Sequence, residues 1–106
     1  MAKRLKRRYV VIMAEPRLSG DSIVNAVKSS YRELFGLFGL AVSGFKVMKV
    51  YRDEGVAIIR CFLKYLPNLL LATASVTKLN GEDVAIRTLI ISGTMRKAKE
   101  VADTYL

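Results

Sequence analysis

Histidine is absent from this 106-residue sequence, cysteine occurs once, as Cys61, and proline twice. Without an imidazole, none of the nucleophile–base pairs that depend on one can form. One cysteine with no histidine cannot build a structural zinc site. A lone cysteine also excludes an internal disulfide and fits a reducing compartment. Acids are scarce, with 9 Asp and Glu against 18 Lys and Arg. Four of them form the pairs Asp53-Glu54 and Glu82-Asp83 at expected turns, where such residues belong for local reasons. No acid lies inside a predicted strand, so the converging carboxylates of a two-metal nuclease are missing. A glycine-rich phosphate loop is missing too, because Ser92-Gly93-Thr94 has a single glycine. The reading is of a chain that is non-catalytic by itself and binds no cofactor of its own.

No apolar run approaches the roughly 18 residues needed to cross a bilayer. The longest, residues 34–45, is interrupted by Gly36, Gly39 and Gly44. The basic start is followed only by residues 9–14 before Glu15-Pro16, too short for the apolar part of a secretory signal. A cytoplasmic protein without a membrane partner is expected.

What the chain has is positive charge. The formal net charge is +9 and the pI near 10.0, a field that attracts polyanions and speeds encounter with them. Lys3, Arg4, Lys6, Arg7 and Arg8 fall in the first eight residues with no acid among them, leaving 13 of the 18 cations and all 9 acids to the rest. This divides the chain into a basic N-terminal arm, residues 1–8, and a single domain, residues 9–106, a common footprint of nucleic-acid binding. The composition is also apolar for such a charge, at 52% hydrophobic with a mean hydropathy of +0.26. That excess of apolar surface is most simply hidden against partner proteins.

Residues 9–14 form a β-rich run. A helix starts at Ser19-Gly20-Asp21-Ser22, with Ile23, Val27, Tyr31, Leu34 and Phe38 at helical spacing. Strands are expected over residues 45–52 and 56–63, joined at Asp53-Glu54-Gly55 as a hairpin. Pro67 opens a second helix, running to Leu79 and stopped by Asn80-Gly81. A fourth strand covers residues 84–91. A last helix follows, with Met95, Ala98, Val101 or Ala102, and Tyr105 on one stripe. The order strand, helix, strand, strand, helix, strand is the split βαβ pattern. It gives an α+β, ferredoxin-like sandwich (βαββαβ) with an added C-terminal helix. The third strand, Val56-Ala57-Ile58-Ile59-Arg60-Cys61-Phe62, carries aliphatics where an RNA-recognition motif would place stacking aromatics. Both its faces should be buried, one against the C-terminal helix or a partner. Recognition through backbone charge and shape is expected instead of base stacking.

The segment Ser92-Gly93-Thr94-Met95-Arg96-Lys97 ends a strand and starts a helix with cations where acids would suit the helix dipole. A phosphate there would use free N–H groups, the Thr94 hydroxyl and the nearby charges together. An ordinary Thr94 N-cap, with Arg96 and Lys99 matched by Glu100 and Asp103 at i+4, accounts for the same residues. The RNA-binding set expected from the sequence is Lys3, Arg4, Lys6, Arg7, Arg8, Arg87, Ser92, Gly93, Thr94, Arg96, Lys97 and Lys99.

Three blocks carry a resemblance to a known family. They are the basic start Arg4-Leu5-Lys6-Arg7-Arg8-Tyr9, the strand Gly55-Val56-Ala57-Ile58-Ile59-Arg60-Cys61 together with Phe38-Gly39, and Arg87-Thr88-Leu89-Ile90-Ile91-Ser92-Gly93-Thr94-Met95-Arg96. In these the chain resembles the ribonuclease P protein component 2 family of archaea and its eukaryotic relatives, over nearly its whole length. The resemblance implies a ferredoxin-like subunit of a ribonucleoprotein that removes the 5′ leader from precursor tRNA. It implies an RNA that is the catalyst, with magnesium at that RNA. The partners implied are ribonuclease P RNA, precursor tRNA, ribonuclease P protein component 3 and a self-dimer. Many relatives continue in a helical tail past the position of Leu106, so that tail's contacts are not carried over. Two alternatives remain at this point: another ferredoxin-like RNA-binding or ribosomal protein, and a small-molecule-binding regulatory domain of the same topology.

Overall fold

A computed structural model describes residues 6–106. Strand β1 (Arg7–Glu15) leads into helix α1 (Gly20–Val42), then β2 (Lys46–Tyr51) and β3 (Val56–Phe62). Helix α2 (Leu66–Ala74), the two-residue strands β4 (Lys78–Leu79) and β5 (Glu82–Asp83), strand β6 (Ala85–Ser92) and helix α3 (Met95–Thr104) complete the chain. The main sheet has the order β2-β3-β1-β6 with every neighbour antiparallel. This is the strand order of the ferredoxin-like fold expected from the sequence, with the two inner strands β1 and β3 the most apolar.

Residues alternate across a strand, and here both faces of the inner strands are covered. Val10, Ile12 and Ala14 of β1 with Ala57 and Ile59 of β3 pack against Ile23, Val27 and Tyr31 of α1 and Leu69 and Ala72 of α2. Val11 and Met13 with Val56 and Ile58 pack on the other side against Ala98 and Ala102 of α3. Small residues on α3 let it lie close to the sheet. Its N-cap is Thr94, whose hydroxyl accepts from the Lys97 N–H at 3.3 Å. Asp103 at its far end is reached by the Tyr51 hydroxyl at 3.4 Å. Helix α3 therefore runs from the end of β6 towards the far end of β2, over β6, β1 and β3.

Three expectations are corrected. Helix α2 stops at Ala74 instead of Leu79. The Thr73 and Ser75 hydroxyls donate to the carbonyls of Leu69 and Leu71 at 2.9 and 2.8 Å. Such bonds compete with the helical ladder, and the β-branched Val76 and Thr77 do not favour continuing it. Asn80-Gly81 is then the turn of the β4–β5 hairpin and not a helix stop; both residues have positive φ, 53° and 82°, as a two-residue type I′ turn requires. On α1, Ile23, Val27 and Tyr31 are buried as expected, but Leu34 is 47% and Phe38 80% exposed. A 23-residue helix is about 34 Å long, whereas β2 and β3, which it covers, span about 20–23 Å. Its last turns overhang the sheet, broken at Gly36.

Candidate nucleic-acid interface

Strand β1 begins two residues before the expected boundary of the arm. Arg7 and Arg8 pair with Phe62 and Cys61 in the sheet, so both are fixed by the ladder. Lys6 is tied beside them, its carbonyl accepting from the Leu63 N–H at 2.7 Å. Lys3 and Arg4 lie outside the described residues. Next along β1, Tyr9 pairs with Ser92 on β6, which brings the turn Ser92-Gly93-Thr94 to the same end of the sheet. Arg8 folds back at that point. Its Nη1 donates to the Arg7 carbonyl at 2.8 Å and is the nearest atom to the space beside the Gly93 Cα, 3.7 Å from where a Cβ would sit. Arg96 and Lys97 follow in the first turn of α3, and Lys99 lies in the second, all exposed.

The turn is largely closed on itself. The Ser92 hydroxyl donates to the Thr94 carbonyl at 2.9 Å and accepts from the Thr94 N–H at 3.1 Å. The Thr94 hydroxyl oxygen caps Lys97. Met95 and Arg96, in the first turn, have no N–H partner within the helix. Arg96 and Glu100 form the expected i+4 pair at 3.6 Å, with the arginine side chain 91% exposed. Lys99 and Asp103 do not pair; Asp103 is engaged by Tyr51. The turn thus supplies geometry and the surrounding side chains supply charge.

Arg87 stands apart from this group. It pairs with Met13 on β1, five residues along β6 from Ser92, about 16 Å away. Its guanidinium meets Glu15 at 2.8 Å.

Pairing distinguishes the cations at the two ends of the main sheet. At the end of the sheet where β1 leaves and β2 meets β3, Arg17 pairs with Glu54, Arg52 with Asp21 and Arg87 with Glu15. At the opposite end, Arg7, Arg8, Lys97 and two residues that the sequence reading passed over, Lys46 and Arg60, take part in no ion pair among the described residues. Lys46 and Arg60 are cross-strand neighbours. Only the register of β2 against β3 reveals this, because the two are 14 positions apart in a sequence that gives no other sign of their contact.

Burial pushes the Cys61 thiol up to about 11, so it is a protonated, inert core group. No helix among the described residues is long and apolar enough to cross a membrane.

Comparison with known proteins places these features in a wider set. The profile of the Rpp14/Pop5 family matches residues 8–102. Ribonuclease P protein component 2 of Pyrococcus horikoshii is 30% identical over 98 residues, covering 91% of this chain and 82% of the relative. The protein of the same name from Archaeoglobus fulgidus is 30% identical over 98 residues, covering 91% and 87%. That from Methanosarcina acetivorans is 33% identical over 100 residues, covering 92% and 74%. In a cryo-EM structure of yeast ribonuclease MRP, one chain matches with a TM-score of 0.65 at 11% identity, over 89% of this chain and 79% of that one, a likeness of fold.

Proposed function

The chain belongs to the Rpp14/Pop5 family and is a protein subunit of ribonuclease P, and we propose that it acts there by neutralising RNA backbone charge, with no catalytic group of its own. The observation that carries this reading is the separation of paired from unpaired cations. One end of the sheet is balanced by Glu15, Asp21 and Glu54, while the other presents Arg7, Arg8, Arg96 and Lys97 around the start of α3 with Glu100 as their one ion-pair partner among the described residues. Such an array takes up phosphates and releases counterions. Lys6 adjoins Arg7 at this surface and Lys99 borders it; Lys3 and Arg4, which precede them in sequence, lie outside the described residues. Arg87, matched by Glu15, is assigned to holding β1 and β6 ends together instead. No three Cys, Asp or Glu side chains among the described residues converge as metal ligands; the reading places the magnesium chemistry at the RNA.

Membership of the particle means assembly with RNA and with other protein subunits. The exposed Leu34, Leu37 and Phe38 at the end of α1 support a protein contact there, which we assign to component 3; a self-dimer would compete for the same apolar surface. Cleavage of precursor tRNA by the reconstituted particle tests the catalytic assignment. Asp53→Ala, Glu54→Ala, Glu82→Ala and Asp83→Ala should each leave it nearly intact at every magnesium concentration. Arg96→Ala with Lys97→Ala should lower it most at low magnesium, where unscreened RNA self-repulsion is largest. A single carboxylate variant that abolished cleavage throughout would overturn the assignment.

A further inference from the structure

One rung of the main sheet crosses all four strands at its unpaired-cation end. Ser92 on β6 is opposite Tyr9 on β1, Tyr9 is opposite Arg60 on β3, and Arg60 is opposite Lys46 on β2. Tyr9 shares a strand face with Val11 and Met13, which pack under α3, so by alternation the whole rung lies on the α3 side. Helix α3 starts beside Ser92 and covers β6, β1 and β3 as it runs away from this end. Its first turn is therefore the wall of a strip that continues across Tyr9 to Arg60 and Lys46.

Two features of the strip are costly for a surface that faces water alone. Arg60 and Lys46 are like charges directly opposite each other on neighbouring strands, an arrangement that destabilises a sheet. Arg60 is also half-buried on an inner strand, and its Nε–H is buried with no acceptor, a desolvation penalty normally avoided. Lysines on an edge strand guard against sheet-to-sheet pairing, which would explain Lys46 and Lys49 on β2. It does not explain an arginine set behind them on β3. A bound anion between Lys46 and Arg60 removes the first cost; the buried Nε–H, closed to solvent, gains an acceptor only as the Arg60 side chain turns outward to meet it.

We propose that the rung Ser92–Tyr9–Arg60–Lys46 is a second RNA contact, a track that takes a stretch of single-stranded backbone from the start of α3 across the sheet. Arg60 is its anchor on a phosphate, Lys46 its outer charge, and the Tyr9 ring its floor. Arg7, one position over on the diagonal from Arg60, borders it. The proposal rests on the reading that the chain binds ribonuclease P RNA, and adds where on the sheet that RNA runs. It does not draw on the hydroxyls of the turn at Gly93, which are consumed internally.

The test uses the full chain with ribonuclease P RNA, and a twelve-residue oligouridylate as a second probe. Binding of wild type, Lys46→Ala, Arg60→Gln and Arg60→Lys is followed against salt, alongside thermal melting. Lys46→Ala and Arg60→Gln should each flatten the log–log slope by about 0.7–0.9, the loss of one phosphate contact, while Arg60→Lys keeps most of it. Oligouridylate should shift the backbone amide resonances of Lys46, Ile59, Arg60 and Tyr9. Lys46 is exposed at the start of an edge strand, so its variant reads the track even if Arg60→Gln melts early. Wild-type slopes in both Lys46→Ala and Arg60→Gln backgrounds, with no amide shifts along the rung, would overturn the track and leave the RNA-binding reading standing. Wild-type protein that binds no ribonuclease P RNA would instead overturn that reading and the track with it. Poly-glutamate shifting the same amides where oligouridylate does not would assign the strip to an acidic protein and overturn the proposal.

Discussion

Cys61 is 1% exposed and burial raises its thiol from 9.0 to about 11. Native protein should resist iodoacetamide at neutral pH and react once unfolded. In the folded state the thiol keeps its proton longer than in the unfolded state, so stability is unaffected below pH 9.0 and falls as pH rises towards about 11. Tyr51 adds to the same fall, its hydroxyl raised by burial and then by Asp103. With no histidine, no side chain of ordinary pKa titrates between about pH 6 and 8. Denaturant midpoints should therefore be flat there and decline above about pH 9; a midpoint that rose from pH 9 to 11 would contradict the burial of Cys61. Thr94→Ala removes the cap of α3 and should cost about 1 kcal/mol. That is a drop of about 4–8 °C in Tm for a domain of this size.

At the scale of elements, the β4–β5 hairpin and α1 are the informative cases. A Cβ at Gly81 would meet nothing within 4 Å, yet its φ is +82°, so Gly81→Val should destabilise through backbone conformation alone, by about 1–2 kcal/mol. Gly36 combines φ 78° with ψ 171°, a region that side chains hardly enter, so Gly36→Ala should cost about 1–3 kcal/mol. Chemical denaturation reads both. The sheet strands were legible in the sequence because apolar runs bounded by turn residues mark β1, β3 and β6; the α3 stripe was read as Met95, Ala98, Val101 or Ala102, and Tyr105, of which Ala98 and Ala102 are buried. The end of α2 was not legible, since an uncharged apolar run has no periodicity to show where it stops. Asn80-Gly81 could have shown it: that dipeptide is a strong hairpin signal, outweighed by the apparent helix before it. Leu34 and Phe38 misled for a different reason. Helical spacing reports which face a residue takes, not whether the sheet reaches far enough to cover it.

For the whole molecule, flat and elongated at 47 × 31 × 16 Å, the governing feature is how charge is distributed over the sheet's two ends. Composition alone gave the sign and the size of the net charge, and clustering gave Arg7, Arg8, Arg96 and Lys97. The structure pairs Arg87 with Glu15, and register sets Arg60 opposite Lys46, both distant in sequence from the other two groups. On the proposed function, this subunit holds ribonuclease P RNA mainly through phosphates at the end of the sheet around the start of α3. The most direct measurement is the dependence of its affinity for ribonuclease P RNA on salt, for wild type and for the quadruple variant Arg7→Ala, Arg8→Ala, Arg96→Ala, Lys97→Ala. If about five phosphates are neutralised, log K against log salt should fall with a slope near −3.5 to −4.5, and the variant should lose most of that slope. A wild-type affinity independent of salt, or a variant slope unchanged from wild type, would contradict the account.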